Sequence, residues 1–146
     1  MAIRVIRLGT PRTSGEGLRL GTVRRPPRGV RKRDYARRDY FDLWFPELAP
    51  SAGLVRFAYA EPLTDRRWAR YVRAYRREMA QADRQRLLAL LARLSHATDF
   101  SVGCYCEGEE RCHRSILREL LAEHDAKLVP RRAARRKPRV RPSYSR

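Results

Sequence analysis

The 146-residue chain has no apolar run near the ~20 residues that a membrane-spanning helix needs. No secretory h-region forms at its start either, because Arg4 and Arg7 interrupt the apolar stretch from Met1 to Gly9. A cytoplasmic protein is therefore expected. Acids are scarce: 16 Asp and Glu face 34 Lys and Arg, for a formal net charge of +18 and a pI near 11.2. Cysteines number only three, all between Cys104 and Cys112. An odd, clustered set excludes a disulfide framework and leaves thiols, metal ligands or a reactive site. Internal repeats are absent. The length fits about one domain, and 42% hydrophobic residues support a core, though not over the whole chain.

What is present is unevenly charged. Residues 130–146 (PRRAARRKPRVRPSYSR) hold eight basic residues and no acid. Too little apolar side chain remains there to offset ordering entropy, so a disordered basic tail is expected beyond a domain over 1–129. A second basic stretch runs from Arg19 to Arg38, with nine Lys or Arg against Asp34 alone.

Ala2–Leu8 reads as a buried strand, and Leu18–Val23 as a second, stopped by Pro26-Pro27. Residues 28–50 read as irregular, with an aromatic island at Tyr35, Tyr40, Phe41, Trp44 and Phe45. Thr64 or Asp65 can cap a helix whose Trp68, Val72, Tyr75 and Met79 share a face. Asp83 can cap another, with an apolar stripe of Leu87, Leu88, Leu90, Leu91 and Leu94. In Asp99–Cys106, Phe100, Val102, Cys104 and Cys106 would share one strand face. A last helix opens at Cys112 or His113 and buries Ile116, Leu117, Leu120 and Leu121. The order strand, strand, helix, helix, strand, helix implies a three-layer, Rossmann-like α/β domain with a short, mostly parallel sheet.

Residues 103–114 (GCYCEGEERCHR) run from strand through acidic loop into a helix start. Ligands of open α/β sheets bind beyond the carboxyl ends of the strands, and a helix start favours a thiolate. Four chemistries compete. Cys106 or Cys112 is a nucleophile with His113 as base or orienter. Alternatively Cys104, Cys106, Cys112 and His113 hold a metal, although the C-x2-C pair is missing and strand cysteines seldom converge. A reversible thiol pair is the third. In the fourth the cysteines are small buried hydrophobes. An Arg six residues after the Cys, as a phosphatase or rhodanese loop requires, is not found from Cys106, where Cys112 stands, or from Cys104, where Glu110 stands.

Arg19, Arg24 and Arg28, on or after the second strand, are candidate receptors for phosphate or carboxylate, with Arg114 at the helix start. The chain resembles domain-of-unknown-function family 488 (DUF488), the bacterial family that includes the YeaO-like proteins, over roughly residues 2–129. The matching residues are Gly17, Arg19, Arg24, Pro27, Arg28 and Gly29; Asp42, Trp44, Ala49, Pro50 and Ser51; Trp68, Tyr75 and Glu78; and Cys112, His113 and Arg114. Val23, Arg25 and Pro26 stand where the YeaO-like branch usually has Asp, Leu and Trp. The resemblance implies an α/β fold and adds Asp42, Trp44 and Ser51 as candidate substrate contacts. The resulting expectation is a small enzyme for a phosphorylated, nucleotide-like or nucleic-acid substrate. Its arginines would hold the anion, and Cys106, Cys112 and His113 would supply the chemistry, with no cofactor named. The alternatives are a nucleic-acid-binding module, in which Tyr35, Tyr40 and Trp44 stack on bases, and a metal- or redox-responsive protein.

Overall fold

The computed structural model describes residues 1–131, so the tail expected over 130–146 lies, from residue 132 onward, outside the described residues. Four strands form one sheet: β1 (Ile3–Arg7), β2 (Leu18–Gly21), β3 (Leu43–Trp44) and β4 (Phe100–Cys104), in the order β1-β4-β2-β3 and all parallel. The centre of the sheet is β4, pairing Ile3 with Phe100 on one side and Leu18 with Phe100 on the other. Its sequence FSVGC is buried at every position, as a strand covered on both faces requires.

Four helices follow from the local sequence. In α1 (Ala52–Ala60) the Ser51 hydroxyl accepts from the Leu54 amide at 3.2 Å, and in α2 (Asp65–Met79) Thr64 does the same for Arg67 at 3.3 Å. The others are α3 (Ala82–Leu94) and α4 (His113–Glu123). One sheet face, with Ile3, Leu20, Phe100 and Val102, packs against Tyr75, Met79, Leu88, Leu117 and Leu121 of the helices. Irregular chain covers the other face. There Phe41 lies on Gly21, where a Cβ would stand 2.3 Å from the ring, and Leu8 lies on Gly103, where a Cβ would meet it at 2.7 Å. Bare glycine backbone is what lets both side chains approach the sheet.

The α/β class and the parallel sheet agree with the element order read from the sequence. Four details differ. Two elements were not anticipated: β3, only two residues long, and α1, whose AGLVRFAYA lacks a clean apolar period. The buried face of α2 is Tyr71, Tyr75 and Met79, with Trp68 and Val72 at its margin. Gln81, not Asp83, is the N-cap of α3, and Leu90 and Leu94 of its supposed stripe are exposed, because Leu88, Leu91 and Ala92 define the inward face. Finally, β4 ends at Cys104, so Cys106 lies on the following loop and not on a strand face.

Candidate functional site

Beyond the carboxyl ends of β2 and β4, the chain opens a cleft of about 690 Å³. The exit of β2 (Val23 to Arg28), one side of α1 and the start of α4 wall it, and all three cysteines line it. This is the position that ligands occupy in open α/β sheets, and the volume is that of a small-molecule pocket. Five arginines line it (Arg24, Arg25, Arg28, Arg56 and Arg111), and no Asp or Glu does among the described residues. Tyr40, Tyr59, Tyr71 and Tyr105 supply aromatic wall.

At its floor the thiols converge. Sγ atoms of Cys104, Cys106 and Cys112 all lie within 4.8 Å of one another, with Cys104 to Cys106 at 3.7 Å. None is in a disulfide. Their positions follow from the backbone: Cys104 terminates β4, Cys112 is the N-cap of α4, and Cys106 lies on the loop between. That loop is held by Arg114, which is buried and donates to the carbonyls of Cys106 at 2.8 Å and Glu107 at 3.2 Å. The three cysteines can converge because only Cys104 is on the strand.

His113 is also buried. Its Nε2 lies 2.7 Å from the carbonyl oxygen of Thr22 and therefore donates to it, which leaves Nδ1 as an acceptor 3.8 Å from Cys112 Sγ. Burial pushes its pKa down to about 4, against the opposing bond to Thr22, so the ring is neutral at pH 7. The Cys112 proton thus has two acceptors in reach, His113 and Cys106. Hydrogen bonds from the Cys104 and Cys112 thiols, aided by the Tyr59 hydroxyl, hold the Cys106 thiol well below its ordinary pKa despite burial. Cys104, donating to Cys106, is pushed up to about 11, and Cys112 is driven up by both neighbours. Among the three thiols, Cys106, half-buried on the loop, is the one pulled down, and Cys112 at the helix start is pushed up. The Cys112 sulfur, although at the N-cap, makes no bond to the helix amides.

The remaining candidates separate. Arg28 lines the cleft and is exposed. Arg24 lines it too, but spends Nε and Nη2 on the carbonyls of Pro50, Pro46 and Ala49. Arg19 is absent from the cleft: it is buried in a bidentate pair with Glu16 (2.8 and 3.1 Å), and its Nη1 donates to the carbonyls of Thr10 and Asp39. Asp42 accepts the Arg19 amide and a fork from Arg12. Ser51 caps α1 and its amide donates to Glu78. Trp44 is exposed on β3 and donates to the Val23 carbonyl at 2.8 Å. Tyr35 packs edge-on against Phe41, and Tyr40, which lines the cleft, packs edge-on against Tyr105. Lining residues not foreseen include Arg25, Arg56, Tyr59 and Arg111. Arg56 and Tyr59, three apart, would have been found had α1 been recognised.

Comparison with curated proteins and with solved structures returns no match. A family model does match, over residues 3–125, and its description is the active DUF488-N3 subclade. The sheet, the cleft and the Cys-His-Arg helix start all lie within the matched span, and the chain belongs to the DUF488-N3a family.

Proposed function

We propose that this protein is an enzyme for a small phosphate-bearing substrate of nucleotide type, reacting through the Cys106 thiolate. The observation that carries the reading is the union, in one cleft, of exposed Arg25, Arg28 and Arg56, with no lining carboxylate among the described residues, and a half-buried thiol with two thiol neighbours. Exposed Arg25, Arg28 and Arg56 have no acid in the cleft to answer them, and planar guanidiniums match phosphate oxygens two at a time. The tyrosines offer flat apolar surface for a ring system. A volume of about 690 Å³ suits a mononucleotide and not a duplex.

In the proposed reaction, Arg28 and its neighbours anchor the phosphate and align the electrophilic carbon or phosphorus over Cys106. The bond from Sγ to that atom forms as the bond to the leaving group breaks, and the leaving group takes its electron pair. Tyr59, whose pKa the Cys106 charge raises to about 12, stays protonated beside the reacting sulfur and can donate to the departing group. His113 keeps its neutral ring fixed between Thr22 and Cys112. The name of the family's subclade, active, agrees with an enzyme.

A second reading, nucleic-acid binding, draws on Arg31, Lys32, Arg33, Arg37 and Arg38, all exposed on one segment, and on exposed Trp44. Titration calorimetry with AMP and with inorganic phosphate, beside site-resolved iodoacetamide labelling, tests the enzyme reading. AMP should bind, should bind more weakly in Arg28→Ala, and should slow alkylation of Cys106. Alkylation unaffected by saturating AMP would overturn it. Binding only to single-stranded RNA or DNA, with a steep salt dependence, would favour the second reading.

A further inference from the structure

A lone nucleophile needs one sulfur at its centre, and this site brings three together. The Sγ atoms of Cys104, Cys106 and Cys112 lie within 4.8 Å of one another, and the closest pair is 3.7 Å apart. A zinc ion bound to thiolates at ~2.3 Å in tetrahedral geometry would space its sulfurs by ~3.8 Å. The trio is therefore near ligating geometry without rearrangement of the backbone. Its support is rigid on three sides: Cys104 ends the central strand, Cys112 caps α4, and Arg114 fixes the Cys106 carbonyl at 2.8 Å. All three cysteines line the cleft, and Cys106 is the most exposed of them, so the trio is approached from the cleft side.

We propose that Cys104, Cys106 and Cys112 form a three-thiolate site for one thiophilic divalent cation, zinc or cadmium, with its fourth position open to the arginine-lined cleft. Three sulfur donors and no carboxylate select such an ion over magnesium or calcium. His113 is not a ligand: Nε2 is committed to Thr22, and Nδ1, although 3.8 Å from Cys112 Sγ, falls outside the trio. The four-residue set Cys104, Cys106, Cys112 and His113 thus reduces to three. Binding forms three metal–sulfur bonds as the remaining S–H bonds break; the protons go to solvent and nothing is oxidised. A metal on Cys106 takes up the electron pair with which that sulfur would attack, so metal occupancy and thiol reactivity exclude each other. The inference goes beyond the proposed function and does not depend on it.

The test is titration of the reduced, metal-free full chain with cadmium, following the ultraviolet sulfur-to-cadmium charge-transfer band, proton release in weak buffer and thiols open to Ellman's reagent. One ion per chain should saturate the band, release protons, remove all three thiols from the reagent and suppress iodoacetamide labelling of Cys106. Zinc should compete. Cys106→Ser, on a loop where the fold tolerates it, should weaken cadmium by an order of magnitude or more, whereas His96→Ala, at an exposed histidine, should leave affinity unchanged. The proposal is overturned if wild-type protein gives no stoichiometric charge-transfer band, or if Cys106→Ser binds as tightly as wild type. Cadmium binding without AMP binding would sink the nucleotide reading alone, and AMP binding without cadmium binding would sink the metal site alone.

Discussion

Two groups of arginines meet this sheet in opposite ways. On the loop-covered face, Arg19 is enclosed and spends Nε, Nη1 and Nη2 on Glu16 and on the carbonyls of Thr10 and Asp39; Ser101 completes the Glu16 carboxylate at 2.8 Å. At the carboxyl ends of the strands, Arg25, Arg28 and Arg56 face a cleft lined by no acid. The residue type is the same, and the difference lies in where a carboxylate is supplied. Glu16 stands three positions before Arg19, across Gly17, whose φ of +75° turns the chain back tightly: a Cβ there would lie 1.9 Å from the Asp99 carbonyl oxygen. No acid occurs between Glu16 and Asp34 to do the same for Arg24, Arg25 or Arg28. A carboxylate makes Arg19 a strut and backbone carbonyls do the same for Arg24, whereas Arg25, Arg28 and Arg56 stay exposed at the cleft.

The sharpest way to break the comparison is stability. Glu16→Ala strands a buried guanidinium, so it should cost about 3–5 kcal/mol in denaturant unfolding. Arg28→Ala, at an exposed position, should stay within about 0.5 kcal/mol of wild type. Equal losses would erase the distinction.

Acid titration sharpens it further. Burial alone would raise the Glu16 pKa, but hydrogen bonds from Arg19, the Thr13 amide and Ser101 outweigh it and hold the carboxyl at about 2, below the 4.5 of a free group. A depressed carboxylate contributes stability that is present above the unfolded pKa and lost as pH falls from about 4.5 towards about 2. Thermal unfolding across that window should show a decline that Glu16→Gln flattens.

The cleft side is read by its thiols. In metal-free protein, Cys106 should label with iodoacetamide faster than Cys104 or Cys112 and keep labelling below pH 8, whereas Cys104, raised to about 11, should respond only at high pH. Peptide mapping by mass spectrometry across pH decides the order; Cys112 labelling first would reverse the assignment. The smallest effect expected is at Tyr59, one of several groups favouring the Cys106 thiolate. Tyr59→Phe should move the labelling profile of Cys106 to slightly higher pH, and no shift would remove the hydroxyl from the site.

Much of this was legible in the sequence where a long-period pattern existed. AIRVIRL, the Tyr75–Met79 face and the Ile116–Leu121 stripe mark β1, α2 and α4 because their apolar spacing repeats often enough to define a face. The two-residue β3 carries no period to detect, and α1 lacks a clean one. The Cys-His-Arg segment was recognisable as a site, and the convergence of its sulfurs was not. That convergence depends on where β4 ends, one residue before Tyr105, which turns Cys106 from a strand residue into a loop residue. The role of Arg19 was hidden for a related reason. Its motif places it among ligand-binding arginines, but Glu16 reaches it only through a turn and the burial of both side chains beneath Ser101.

The two margins of the sheet bear on a different property. On the β3 side only Leu43 and Trp44 extend the ladder, too short a template for another strand. On the β1 side the chain returns after α4 to cover the start of the margin: the Ile3 amide donates to the Lys127 carbonyl at 2.8 Å, and the Val129 amide donates to the Ile3 carbonyl at 2.9 Å. Arg118 pins this return segment at the Val129 carbonyl. Removal of residues 127–129 would therefore do more than shorten the polypeptide. It would bare the Ile3 amide and carbonyl and lengthen the open β1 edge that another chain's strand could pair with.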